Sequence, residues 1–362
     1  MPDNQNQPKE FDAILGGQAP PPVESAVLGG LQGVKHRLTN PVVEVRIAAL
    51  SEALNYGEAG LDVAIDALQD TAEQVQRFAS RLLRQNGGVR GKQALLNHDP
   101  YLFFTTFQDW KTENFHPDIG ITNPSETAYV VNFEQLKLLL QDPQACKIEA
   151  LICQMWDCNH SADLFIDELC ASYKQLTSLK ALFIGALYEP EYLSFSLKLC
   201  NLSPIVKAFP NLEVLHVCGS KGLEFRQVKH DNLKTLILDV SNLVDDIDQL
   251  SGLNLPALEY LDLWLGNNCY DNKNTTNVLM PILSGKLFPR LRYLGLRGSQ
   301  YDDKIAYAIA PSAIVNHLKV LDLSKGTLRD KGAEALLKSS AINRLHTLNV
   351  SNTAVSDVMR YS

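Results

Sequence analysis

A short motif of the form L-x-x-L-x-L recurs eight times in the last two-thirds of the chain, and no other feature restricts the fold as strongly. The copies begin at Ile148, Leu179, Leu212, Leu233, Leu258, Leu291, Leu318 and Leu345 and end at Cys153, Ile184, Val217, Leu238, Leu263, Leu296, Leu323 and Val350. One copy alone is a common accident, whereas eight in succession are a structural period. The steps between them are 31, 33, 21, 25, 33, 27 and 27 residues, room for one short strand and a return segment. Side chains alternate along a strand, so the spaced leucines enter one core while the residues between them face the other way. Stacking such units yields a parallel sheet, and each fully buried leucine contributes roughly 1.5–3 kcal/mol.

The return segments Asp302 to Ala310 and Lys331 to Ser339 carry an apolar stripe and read as helices. Three residues past the last core position stand Trp156, Leu187, Ser220, Ser241, Gly266, Ser299, Gly326 and Thr353. A hydroxyl there can bond the turn and glycine permits a tight one; the first two repeats have neither and are expected to be irregular. The segments AFPNLEVL at 208–215, LEYLDLWLG at 258–266, LFPRLRYLGLRGS at 287–299 and LKVLDLSKGTLRDKGAEALL at 318–337 resemble a family of bacterial leucine-rich-repeat proteins without a settled activity. DKGAEALL at 330–337 is similar to the return helix of ribonuclease-inhibitor-like repeats. The resemblance covers the chain from about Thr127 onward and implies an α/β solenoid, strands on the concave face and helices on the convex face. It implies a cytoplasmic role and supplies no catalytic residue.

In such a horseshoe the residues between the core leucines line the concave wall. Its middle carries Tyr260, Asp262, Trp264, Tyr293 and Arg297, with Asp239, Asp322 and His216 beside them. Tyrosine, tryptophan and arginine are the residue types enriched at interface hot spots. This set is therefore the candidate partner-binding patch, suited to a protein that offers a basic side chain to the aspartates. The alternative is that a segment of the same chain covers these aromatics, with the insertion Gly266 to Met280 as the obvious candidate.

Ahead of the repeats, residues 1–40 are rich in Pro, Gly, Gln and Asn and read as a flexible leader with one or two short helical turns. Residues 41–104 are helical in pattern: Val45, Ala48, Ala49, Ala53 and Leu54, then Leu61, Ile65 and Leu68, then Val75, Phe78, Ala79, Leu82 and Leu83. Val45-Arg46-x-x-Ala49 and Val75-Gln76-x-x-Ala79 match at an offset of 30, which suggests a short HEAT-like unit. ALSEALNYGEAGLDVAIDALQD, from Ala49 to Asp70, resembles a helical leader found before repeat domains in photosynthetic prokaryotes; phycobilin lyases use HEAT-like repeats too, but many more of them. Residues 105–127 are read as a partly packed connection and 128–362 as a solenoid of about eight repeats.

Acidic residues outnumber basic ones, 41 to 33, for a formal charge of −8. That balance disfavours a grip on nucleic acid, which needs a basic face. The N-terminus has no basic start before an apolar run, and no stretch is apolar enough to span a bilayer, so a cytoplasmic protein without a membrane partner is expected. The seven cysteines, an odd number, are expected to be reduced thiols. Asn86 to Gln93 has Asn for the first Gly of a phosphate loop and Gln in place of its Ser or Thr, and is read as a helix-ending turn. Cys153, Cys158 and His160 lack metal-ligand spacing, and His216 with Cys218 are two residues of one strand face. No catalytic residue, metal or cofactor is expected. Function is therefore expected to be non-enzymatic protein binding, with an accessory or lyase-like protein holding a pigment or other flat ligand as the second reading. Only Ala354 to Ser362 follow the last repeat, so end-to-end self-association through an exposed C-terminal edge is expected.

Overall fold

A computed structural model describes residues 30–155, 162–185, 197–241, 243, 247–266 and 275–360. The chain divides into two compact units, Met1–Leu95 and Leu96–Ser362. No helix among the described residues is long and apolar enough to cross a membrane. Residues 1–29 and most of the insertion after Gly266 lie outside the described residues, as do Trp156 and Leu187.

The first unit contains α1 (Gly30–Leu38), α2 (Val43–Ala53), α3 (Gly57–Asp66) and α4 (Glu73–Asn86), with α5 (Gly88–His98) beginning inside it. The offset of 30 is visible in atomic detail. Asn40 Oδ1 accepts from Val42 N ahead of α2, and Asp70 Oδ1 accepts from Ala72 N ahead of α4, at 2.8 and 2.7 Å. Each turn satisfies a backbone donor just before the helix begins. Ala49 and Ala79, matched at that offset, are both fully buried. At Gly60 a methyl group would lie 1.7 Å from the Ala53 carbonyl oxygen, so only glycine allows this close approach. Asn86 ends α4 and Gly88, at φ +56°, starts α5, so the loop that superficially matched a phosphate motif is a helix boundary.

In the second unit ten strands form one parallel sheet in chain order. They are β1 (Lys111–Asn114), β2 (Thr127–Val131), β3 (Ala150–Gln154), β4 (Ala181–Gly185), β5 (Val214–Gly219), β7 (Thr235–Val240), β9 (Tyr260–Trp264), β10 (Tyr293–Arg297), β11 (Val320–Asp322) and β12 (Thr347–Asn349). Two short strands, β6 (Val228–Lys229) and β8 (Leu253–Asn254), pair separately in the return segments. All eight motif copies are strands, and two further strands precede them. Leu151, Leu182, Leu215, Leu236, Leu261, Leu294, Leu321 and Leu348 are partners in unbroken register. The first seven are fully buried. The return segments Asp302–Ile309 and Asp330–Leu337 are helices, as their apolar stripes predict.

The residue before each motif strand except the last accepts two backbone N–H groups from the next rung; Lys180 and Ala181 donate to Glu149 O, and Glu213 and Val214 to Lys180 O. Its side chains alternate in sign at the start, and Lys180–Glu149 and Lys234–Glu213 pair at 2.7 and 2.9 Å. Residues 105–127, expected to be only a connection, hold β1, which is hydrogen-bonded to β2. Residues 96–104, read from sequence with the helical region, belong to the unit of the sheet.

Candidate functional site

The sheet face opposite the leucines carries three columns of side chains, at the first, third and fifth position of each strand. The first column is closed: Ala181, Val214, Thr235, Tyr260, Tyr293 and Val320 are all buried. What buries them is a strap, residues 100–110, crossing the sheet against chain order. The Tyr101 hydroxyl donates to Asp322 Oδ2 at 3.3 Å. Phe104 meets the rings of Tyr260 and Tyr293 edge-on, with centroids 5.2 and 5.8 Å away. The Thr105 carbonyl accepts from Thr235 Oγ1 at 2.5 Å. Phe107 meets Phe183 edge-on, and Trp110 packs with Ala128, Val130, Ala150 and Ile152. The strap is built from two 3-10 turns, Pro100–Phe103 and Phe107–Asp109, with extended backbone at Phe104 and Thr106 between them.

This placement corrects the expectation that Tyr260, Asp262, Tyr293 and Asp322 line an open wall. Each is buried, with 6 %, 4 %, 1 % and 3 % of its surface exposed. A segment that covers them is the strap, on the N-terminal side of the sheet; most of the insertion after Gly266 lies outside the described residues. The signal was present as an aromatic at every third position: Tyr101, Phe104, Phe107 and Trp110.

Beyond the strap a polar band remains partly exposed, formed by His216, Cys218, Ile237, Asp239, Trp264, Arg297 and Asn349. One network runs along it. His216 Nε2 meets Asp239 Oδ2 at 2.9 Å, Arg297 Nη2 donates to Asp239 Oδ1 at 3.4 Å, and Arg297 Nε donates to Asp262 Oδ1 at 2.7 Å. The Arg297 guanidinium lies 5.9 Å from the Trp264 ring centroid. Gly295 permits the Asp262 contact, since a methyl there would stand 2.4 Å from Asp262 Oδ1. Asp322 is saturated: it accepts from the hydroxyls of Tyr101 and Tyr293, from Asn349 Nδ2 and from Ser324 N.

The two carboxylates bound to Arg297 differ in proton affinity. Burial raises Asp262 above the ordinary value, and the adjacent guanidinium only partly offsets it. Burial acts on Asp239 in the same sense, yet the His216 hydrogen bond and the charges of His216, Arg297 and Lys325 outweigh it and leave this carboxyl below its ordinary value. Desolvation opposes the charge on Arg297, but Asp262 and Asp239 hold it more firmly protonated than a free guanidinium. Of the three aspartates, Asp239 has the most side-chain surface in reach of another molecule, 32 % against 6 % for Asp262.

Among the described residues no group of three or more His, Cys, Asp and Glu side chains could hold a metal. Cys153 is a buried core residue whose thiol burial pushes well above its usual range; Cys158 and His160 lie outside the described residues.

No family model and no curated protein matches the chain. Among solved structures, one of a protein from Bacteroides fragilis aligns with a TM-score of 0.57 at 26% identity, covering 61% of this chain and 64% of that one. The chain therefore spans less than two-thirds of that protein's length. An internalin from Listeria monocytogenes aligns over 65% of this chain and 68% of its own at 15% identity, with a TM-score of 0.26. In-register rungs built on a repeated L-x-x-L-x-L, each closed by a return segment, give the second unit a leucine-rich-repeat-like fold.

Proposed function

We propose that the protein is a non-enzymatic binding scaffold, a leucine-rich-repeat solenoid whose partner docks on the polar band of the strand face, with a HEAT-like helical unit as a second dock. The observation that carries this is the partly exposed row of Asp239, Trp264 and Arg297 beside the column of side chains that the strap seals. Two carboxylates, Asp239 and Asp262, share the guanidinium of Arg297, and Asp239 is the one whose side chain another molecule can reach, which favours a partner that brings a basic side chain to it. Trp264 offers the stem of that side chain a flat apolar surface. Extended repeat surfaces suit protein partners. A flat ligand is the weaker reading, because Phe104 already covers the stacked tyrosines it would need.

The test places a photo-crosslinking residue at position 264 of the full chain in its native cell, and a second one at Tyr307, which is exposed on a return helix. Crosslinks to one protein from position 264 and none from position 307 are expected. Asp239→Asn combined with Trp264→Ala should reduce its recovery at least ~10-fold. Undiminished recovery by the folded double variant, or crosslinks from the helix side alone, would reject the band as the docking surface.

A further inference from the structure

Two aspartates at the heads of the last return helices make the same rung-to-rung bond. Asp303 Oδ1 accepts from Arg329 N and Asp330 Oδ1 accepts from Ser356 N, at 2.9 and 2.8 Å. Asp302 behaves otherwise. It is fully buried, and its Oδ2 accepts from Leu328 N at 3.1 Å in the turn after β11. That turn closes so tightly that a methyl on Gly326 would lie 1.9 Å from Oδ2. Its Oδ1 is buried without a hydrogen-bond partner.

The charges around it do not neutralise it. On its own helix stand Asp303, whose negative charge disfavours ionisation, and Lys304, whose ammonium lies 5.3 Å from the Tyr301 ring centroid. In the facing turn Lys325 and Arg329 are exposed, and on the next helix so are Asp330 and Lys331. No ion pair between described residues includes Asp302. A carboxylate in this position is a buried charge with one oxygen unmatched, whereas the neutral acid costs far less.

We propose that Asp302 is a proton-operated latch between the β10 and β11 rungs: protonated it closes the core, and ionised it loosens the last two rungs. Asp322 sits on β11 and anchors Tyr101 of the strap, so the latch also governs the grip of the strap on that end of the sheet. Burial, reinforced by the Asp303 charge and only partly offset by the Thr327 and Leu328 N–H groups of the facing turn and by the Ser299 hydroxyl, pushes the carboxyl up to about 7 from 3.8. A folded value above the unfolded one means that the stabilisation is complete below about pH 3.8 and declines as pH rises to about 7, then levels.

Hydrogen exchange of the full chain at pH 5 and pH 7.5, corrected for the intrinsic rate, tests this. Segments within 318–350 should open on the order of 100-fold more at the higher pH, with β3 unaffected, and Asp302→Asn should abolish the difference. The same difference in Asp302→Asn, or none in the unaltered protein, would overturn the latch. If Asp302→Asn does not fold, Asp303→Asn decides: it keeps Asp302 and removes the repelling charge, so a smaller pH response supports the latch and an unchanged one refutes it.

Discussion

The rings of Tyr260 and Tyr293 stack 3.8 Å apart and 4° from parallel, one on each of two neighbouring rungs at the same register position. Each repeat presents its first outward side chain directly over that of the last, so like residues form a column. Here the column is roofed by Phe104, whose ring meets both tyrosines edge-on.

Phe104 is the central anchor of the strap and is 1 % exposed. Phe104→Ala should destabilise the second unit by ~3–5 kcal/mol, the usual cost of emptying a buried phenylalanine site. Urea denaturation followed by tyrosine and tryptophan fluorescence will report it. A loss below ~1 kcal/mol would show that the strap merely lies on the sheet.

Trp110 is buried, yet its indole Nε1 has no hydrogen-bond partner. A buried donor left unmade costs roughly 1–3 kcal/mol. Trp110→Phe removes that donor while retaining much of the apolar contact, so its stability should stay within ~1 kcal/mol of the unaltered chain. Trp110→Ala should lose ~3–5 kcal/mol. Equal losses in both variants, read by thermal unfolding, would mean that the indole nitrogen is satisfied in solution.

Arg297 and Asp262 are both largely buried, at 17 % and 6 % side-chain exposure. Arg297→Met leaves the Asp262 charge uncompensated and should cost ~3–5 kcal/mol. Adding Asp262→Asn should recover most of that loss, because the stranded charge is then gone. A double variant no more stable than Arg297→Met would contradict the pairing.

Asp239 has a lowered folded pKa, so its contribution is present above the unfolded value of 3.8 and vanishes as pH falls through the folded value. Acid unfolding below about pH 4 should therefore be less steep in Asp239→Asn than in the unaltered chain. The comparison needs only circular dichroism against pH; superimposable curves would argue against the His216 and Arg297 contacts.

The sequence alone determined the rungs. Alternation within five residues and a step of 21 to 33 between motifs name the inward leucines, and a one-residue slip would turn each of them outward. Register, return helices and the identity of the outward residues Tyr260, Asp262, Trp264, Tyr293 and Arg297 all follow from that local period. The roof over the outward face was decided by tertiary structure. Its contacts join Thr105 to Thr235 and Tyr101 to Asp322, across 130 and 221 residues of chain. No local period encodes which segment crosses which column, because the strap has no partner until the sheet exists. Burial then sorted the predicted residues, sealing Tyr260, Tyr293, Asp262 and Asp322 and leaving Asp239, Trp264 and His216 within reach of another molecule.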